Sequence, residues 1–130
     1  MSVYMDSGNY TYELIKRGLD TASLRGKAIA NNMANVNTKN YKKYVVSFED
    51  SLRDVSEDIK KTGRVKLNNS SIGSIKLEKD EKTSMNINGN NVDIEIEKTN
   101  QAANTLLYNA LISKVNSKLS MKSYIITGGK

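Results

Sequence analysis

Residues 28–44 read AIANNMANVNTKNYKKY, and this stretch decides how the chain folds. Five asparagines fall within the ten positions 31–40, directly after an apolar helical pattern. Asparagine is a mediocre helix former because its side chain competes for backbone hydrogen bonds. We therefore predict that a long helix ends between Asn35 and Asn37, and the clustered amides need an explanation of their own.

The residues before this stretch carry a heptad pattern that predicts the helix. A helix can start at Asn9 or Thr11, since either residue is a suitable cap, and residues 1–9 are expected to form a flexible arm. Apolar positions then recur at alternating steps of three and four, which is typical of a coiled-coil seam and less so of a helix in a globular core. These positions are Tyr12, Ile15, Leu19, Ala22, Gly26, Ile29, Met33 and Val36.

The sequence VSFEDSLRDVSEDIKK predicts a shorter amphipathic helix at about residues 48–60. Ser47 and Asp50 fit a capping box at its start. The apolar positions, at steps of four, three and four, are Phe48, Leu52, Val55 and Ile59.

Residues 62–91 are polar and rich in Gly, Ser, Asn and Lys. Within them GRVKLN and GSIKLEK alternate apolar and polar residues, as half-buried strands do, and NNSSIG between them would turn. Such short strands are marginal alone, so we expect either a small hairpin or a segment that stays disordered until bound.

The sequence INGNNVDIEIEK admits a strand or a helix. Asn88-Gly89 is a hairpin turn signal, and Val92, Ile94 and Ile96 alternate as in a strand. Asp93 can instead cap a helix, and acidic residues in the first turn suit the helix dipole. We predict the helix, over residues 94–125, because QAANTLLYNALISKVNSKL continues it. Its apolar stripe comprises Ala103, Leu107, Leu111, Val115 and Leu119, widened by Leu106, Ala110 and Ile112.

These elements predict a mainly α fold in which the long terminal helices pair as a coiled-coil-like hairpin around a partly β or disordered middle. We divide it into an N-terminal helical segment, residues 1–61, a variable middle segment, residues 62–91, and a C-terminal helix, residues 92–130, together one domain. The predicted helix-packing seam comprises Ile15, Leu19, Ala22, Ile29, Met33, Leu107, Leu111, Val115 and Leu119.

The composition argues against most kinds of catalysis. The chain has no cysteine and no histidine, so the usual nucleophilic thiol, general base and metal ligands are missing. We predict no enzyme, no metal and no cofactor. A net charge of +6 leaves a small basic nucleic-acid-binding module as an alternative, although the lysines are spread along the chain and indicate a solvated surface. We also expect no membrane insertion and no secretory signal peptide.

Two motifs resemble the bacterial flagellar axial proteins, which build rod, hook and hook–filament junction. SLRGKAIANNMANVNTKNY is similar to their signature A-N-N-x-A-N-x-x-T-x-G-Y, and INGNNVDIEIEKTNQAANTLLYNAL to the segment that opens the C-terminal helix of proximal rod proteins. Together with VSFED at residues 46–50, they favour a B-type proximal rod subunit, with the C type as the alternative. The matching positions are Ala30, Asn31, Asn32, Ala34, Asn35, Thr38, Tyr41, Asn90, Asn91, Val92 and Asp93.

The chain departs from the family pattern at Lys39-Asn40, where the family commonly has Pro-Gly. Asparagine is the residue next best to glycine in a left-handed conformation, so we expect the turn to persist with Asn40 in that conformation.

The resemblance implies a structural subunit of the proximal rod of the basal body, which self-assembles into the shaft that transmits motor torque. Implied partners are other rod subunits, the junction protein between the export gate and the MS ring, and the flagellar type III export apparatus, which would export the chain without a cleaved signal. The implied location is the rod that spans the periplasm or cell wall. A helical adaptor or export chaperone is a further alternative. Residues predicted to make subunit contacts are Asn31, Asn32, Asn35, Asn37, Thr38, Tyr41, Asn91, Val92 and Asp93.

Overall fold

A computed structural model describes residues 7–63, 73–82 and 86–130 of the chain. Within these ranges the fold is mainly helical, with long N- and C-terminal helices and a smaller middle part, as predicted. The elements in chain order are α1 Ser7–Ala34, β1 Tyr44–Ser47, α2 Glu49–Thr62, β2 Lys76–Lys79 and α3 Ile94–Ile126.

The two long helices pack against each other in antiparallel order. Near the end of α1, Asn32 reaches Glu97 at the start of α3. Further back along α1, the Ala22 carbonyl accepts a hydrogen bond from Asn104 Nδ2 at 2.9 Å. A β-carbon added at Gly18 would lie 3.1 Å from Leu111, so glycine permits this close approach. The predicted hairpin-like pairing of the terminal helices is therefore what the structure has.

The ends of α1 differ slightly from the prediction. The helix begins at Ser7, so the flexible arm predicted for residues 1–9 is wrong for residues 7–9, and residues 1–6 lie outside the described part. It ends at Ala34, one residue before the predicted end, and a turn follows in which the Asn35 amide still donates to the carbonyls of the last helical turn.

The predicted seam is buried more fully on α1 than on α3. Ile15, Ala22 and Ile29 are buried, and Leu111 on α3 is half-buried. Because α1 covers only one side of α3, several apolar residues of the predicted C-terminal stripe remain exposed. They are Ala103, Leu106, Leu107, Ala110, Ile112 and Leu119. Among the other seam residues, Leu19 and Met33 of α1 and Val115 of α3 are half-buried.

The two strands form a small antiparallel sheet with Tyr44 opposite Lys79 and Ser47 opposite Lys76. The strand predicted in GSIKLEK is present as β2. Among the described residues its partner is β1. The strand predicted in GRVKLN lies, apart from Gly63, outside the described residues. Strand β1 was not predicted, because its four residues depend on a distant partner strand and on Asn32 of α1 for their hydrogen bonds.

Helix α2 begins and ends within two residues of the prediction, but its start is organised differently. Ser47 lies in β1, so it cannot form the predicted capping box, and the cap position is Phe48 with no side-chain hydrogen bond. Phe48 is buried instead. The first turn is fixed by Arg25 of α1, which pairs with Glu49 at 2.8 Å and also donates to the Val46 carbonyl.

The start of α3 confirms the helical interpretation of INGNNVDIEIEK. Asp93 Oδ1 accepts hydrogen bonds from the backbone N–H groups of Glu95 and Ile96, at 2.9 and 3.3 Å. The Asn88-Gly89 signal marks a tight turn, closed by a bond from the Gly89 amide to the Asn86 carbonyl. No helix in the described ranges is long and apolar enough to cross a membrane.

We expect Ile29→Ala to lower the free energy of unfolding by about 2–4 kcal/mol, because it empties a buried position between α1 and its neighbours. Leu106→Ala on the exposed side of α3 is the matched control, with an expected change within about 0.5 kcal/mol. Urea unfolding followed by far-UV circular dichroism measures both. Equal losses would show that the buried face of the helix pair is wrongly assigned.

Candidate functional site

Three asparagines of the two motifs are the most deeply buried polar side chains in the described part of the chain. Asn32, Asn90 and Asn91 are 1%, 0% and 1% exposed. Burying an amide without partners costs a few kcal/mol, so each must be satisfied inside the fold. Their hydrogen bonds define how the end of α1, the strand β1 and the start of α3 are held together.

Asn32 joins three elements through one side chain. Its Oδ1 accepts from the Tyr44 backbone N–H at 2.8 Å and from the Tyr41 hydroxyl at 3.0 Å. Its Nδ2 donates to the Tyr44 carbonyl at 2.8 Å and to Glu97 Oε2 at 3.2 Å. The amide thus pairs with the backbone of β1 as a neighbouring strand would, and only an uncharged group with both donors and acceptors can do so.

Asn90 closes the exposed end of α1. Its Nδ2 donates to the carbonyls of Asn35 and Thr38, both at 2.8 Å, and its Oδ1 accepts from the Val92 amide at 2.8 Å. A helix end leaves carbonyls without intrahelical partners, and Asn90 supplies donors to the turn that follows α1. The segment before α3 therefore acts as a side-chain cap on the other helix.

Asn91 ties the same segment to the sheet. Its Oδ1 accepts from the Lys43 amide at 2.8 Å, and its Nδ2 donates to the Asp80 carbonyl at 2.6 Å. Lys43 and Asp80 flank the two strands and also pair through their backbones, from the Asp80 amide to the Lys43 carbonyl. Asn91 thus fixes the end of the sheet against the start of α3.

The turn that departs from the family pattern keeps its geometry. Asn40 has φ 57°, the left-handed conformation that the sequence analysis predicted for it. Its amide donates to the Asn88 carbonyl at 3.0 Å, so the turn packs against the turn before α3. Gly89 has φ 81°, and a β-carbon there would collide with the Asn40 side chain, which explains glycine at this position.

Tyr41 and Glu97 complete the cluster. Burial raises the pKa of the Tyr41 phenol above its usual value, and the nearby Tyr44 and Glu97 raise it further, against a lowering by the hydrogen bond from Asn31. The phenol is therefore protonated at neutral pH and can donate to Asn32. Glu97 is only 3% exposed although acidic. Sequence reasoning missed it, yet it lies seven residues before Asn104 and fourteen before Leu111, in phase with the α3 seam.

The residues predicted to make subunit contacts fall into groups that differ in burial. Asn32, Asn91 and Val92 are buried in the fold, and Asp93 caps α3. The half-buried members are Asn35 and Tyr41, and the exposed members are Asn31, Asn37 and Thr38. Asn90 is a buried residue of the same cluster that the predicted set left out. The predicted contacts between subunits remain a prediction for all of them.

The site is built for holding helices together. Within residues 7–63, 73–82 and 86–130, no group of three or more His, Cys, Asp or Glu side chains is placed to hold a metal ion. Two long paired helices, closed at one end by a cluster of buried asparagines and left apolar along one side of α3, define the chain as a helical structural subunit.

Comparison with known proteins identifies the family. The family model for the flagella basal body rod protein matches residues 16–42. The flagellar basal body rod protein FlgB of Bacillus subtilis (strain 168) is 35% identical over 123 residues, which cover 92% of this chain and 95% of that protein. FlgB of Borreliella burgdorferi is 33% identical over 107 residues, which cover 73% and 79%. The chain belongs to the FlgB family and is a structural rod subunit of the flagellar basal body, as the motifs predicted.

Asn32→Asp should destabilise the fold by about 3 kcal/mol or more, since it removes both Nδ2 donors and places a second acidic group beside the buried Glu97. Asn37→Asp makes the same chemical change at an exposed position of the same motif, with an expected loss within about 0.5 kcal/mol. Thermal and urea unfolding of the purified chain measure both variants. Similar losses for the two would contradict the structural role of Asn32.

Proposed function

We propose that this chain builds the proximal segment of the rod by repeated contacts with copies of itself and with other rod subunits, and that the resulting shaft transmits motor torque. The observation that supports this most strongly is the apolar surface left exposed on α3. In this proposal the chain has no catalytic role. Its middle segment, residues 62–91, is a variable part of the same domain, apart from Asn90 and Asn91, which bond to the end of α1 and to the sheet.

Helix α3 leaves large apolar residues exposed outside its contact with α1, whereas a helix on a solvated surface presents a mostly polar face there. Contiguous exposed apolar surface in a folded chain marks an interaction site. Covering such surface in a polymer supplies the burial that a chain with few aromatic residues lacks on its own. The exposed large apolar residues of α3 are Ile96, Leu106, Leu107, Tyr108, Ile112, Leu119, Met121, Tyr124, Ile125 and Ile126.

A second contact surface lies at the closed end of the helix pair. An open groove there is lined by Val36, Asn37 and Ile94 together with the turn before α3, and Ile87 in that turn is fully exposed. The exposed Asn31, Asn37 and Thr38 carry uncharged groups that can donate and accept without the cost of burying a charge. We assign to them the subunit contacts predicted from the motif.

A contact between two different surfaces of the same chain does not close on itself, so repetition produces an open helical polymer. Many contacts distributed around such a tube would share the torque. At its base the chain would meet the junction protein between the export gate and the MS ring. We further propose that it leaves the cytoplasm through the flagellar type III apparatus, for which a chain without disulfides needs no reduction before threading.

Asn37→Asp, produced from the native locus, is expected to lower the amount of the chain in purified basal bodies by about tenfold and to impair swimming, because an unpaired charge at a dry contact costs at least about 1.4 kcal/mol. Its expected normal stability as a purified chain separates assembly from folding. Ser56→Asp on exposed α2 adds the same charge and should leave both readouts unchanged. Normal basal bodies and normal swimming with Asp at position 37 would contradict this assignment.

A further inference from the structure

Two helices of the chain carry charges of opposite sign. Residues 49–58, the first part of α2, contain five acidic residues and one arginine. Residues 99–130, which include most of α3, contain four lysines and no acidic residue. Surfaces of opposite charge attract each other and fix the orientation in which they meet, so these two helices are candidates for a contact between copies of the chain.

The acidic residues of α2 include a row along one side of the helix, which we call the aspartate row. Its members are spaced at i, i+4 and i+8, and they are Asp50, Asp54 and Asp58. All three are exposed. Asp54 and Asp58 form no ion pair with any described residue, whereas Asp50 pairs with the exposed Arg53. Because like charges four residues apart on a helix repel each other, a facing row of cations would stabilise this side of α2.

The aspartate row lines an open groove of about 470 Å³ between α2 and the small sheet. Glu78 of β2 adds a fourth carboxylate to the lining. Lys76 is the single cation among the lining residues, and it forms no ion pair with a described carboxylate. The groove is therefore an acidic surface that the ends of lysine side chains can enter.

Helix α3 carries a row of cations with the same spacing, Lys114, Lys118 and Lys122, which we call the lysine row. Lys114 and Lys122 are exposed, and Lys118 is partly exposed. None of the three forms an ion pair within residues 7–63, 73–82 and 86–130. Met121 and Ile125 follow Lys118 and Lys122 by three residues, so they lie beside the row, and they are 65% and 70% exposed.

The two rows match in geometry as well as in sign. Residues at i and i+4 are separated by about 6 Å along any α-helix, so three charges on one row can face three on the other. Rows of this spacing run alongside each other when two helices cross at about 50°. The middle pair, Asp54 with Lys118, is the same whether the two helices run parallel or antiparallel.

We propose that α2 of one copy packs its aspartate row against the lysine row of α3 in the next copy, with Asp54 opposite Lys118. Single exposed ion pairs contribute little, but three pairs together with the apolar surface of Met121 and Ile125 form a specific contact. The two surfaces differ, so the contact is head to tail and repeats as an open series. It rests on the proposed self-assembly of the rod and specifies where one of its interfaces lies.

Charge reversal tests the pairing, with each variant produced from the native locus and its amount measured in purified basal bodies. Asp54→Lys and Lys118→Asp are each expected to lower that amount by about tenfold, because each places a charge opposite a row of the same sign. The double variant Asp54→Lys/Lys118→Asp restores opposite charges in every contact. Its amount should return to within about twofold of that of the unchanged chain, which no independent effect of the two substitutions would produce.

Matched controls make the same changes on α1. Asp20→Lys and Lys16→Asp alter exposed residues outside both rows and should leave the amount in basal bodies unchanged. Urea unfolding of the purified variants separates folding from assembly, and the free energy of unfolding should be the same for Asp54→Lys and Asp20→Lys to within about 0.5 kcal/mol, a change of about twofold in the unfolding equilibrium.

Zero-length cross-linking locates the contact without any substitution. A carbodiimide joins a carboxylate to an amine with loss of water, so it links side chains that touch. In treated basal bodies, the linked dimers of the chain should contain a peptide that joins Asp54 to Lys118. Raising the salt concentration before treatment should lower its yield, because salt screens exposed charges.

The outcomes separate this contact from the function on which it rests. Normal amounts of both single variants, or a double variant as depleted as the single ones, would overturn the contact and leave the rod function standing. Absence of the Asp54–Lys118 peptide from linked dimers, or its presence in unlinked monomers only, would also overturn the contact. Linked dimers of the purified chain through these two residues, with the unchanged chain absent from basal bodies, would support the contact and count against the rod function.

Discussion

The fold depends on the side-chain amide of Asn32, which occupies the place that a neighbouring strand would take beside β1. A strand edge that faces a helix has backbone groups with no partner, and leaving them dry and unpaired is costly. Asn32 satisfies the amide and the carbonyl of Tyr44 together. It also bonds to Tyr41 and Glu97, so that the end of α1, the strand and the start of α3 form one unit.

This constraint divides the asparagines of the motif by physical role. The side chains of the buried Asn32, Asn90 and Asn91 form their hydrogen bonds within the chain. An acidic replacement at any of these positions would leave backbone groups unpaired. The exposed Asn37 presents its amide at the surface, whereas the amide of Asn31, also exposed, already donates to the Tyr41 hydroxyl. A rigid closed end therefore presents exposed amides in a fixed geometry, while the rest of α3 extends away with its apolar side uncovered. Both features suit a subunit whose stability is completed by its neighbours.

Local sequence rules predicted the parts of this fold that local interactions decide. The N-terminal helix, the Asp93 cap and the left-handed Asn40 each follow from neighbouring residues, and the structure has all three. Strand β1 could not be predicted in this way, because its pairing with β2 spans some thirty residues and its other edge needs Asn32. The failed cap at Ser47 has the same origin, since that residue belongs to the strand. The burial of Glu97 could have been predicted, because Glu97 lies in phase with the α3 seam.

Amide hydrogen exchange at Lys43, Tyr44 and Val92 tests the central claim most directly, because these amides donate to asparagine side chains and not to backbone carbonyls. If the buried asparagines hold the closed end together, the three amides will exchange as slowly as those at the centre of α1 in the isolated chain. Exchange at the rate of unprotected amides, alongside a protected α1, would mean that the asparagine cluster does not organise the fold.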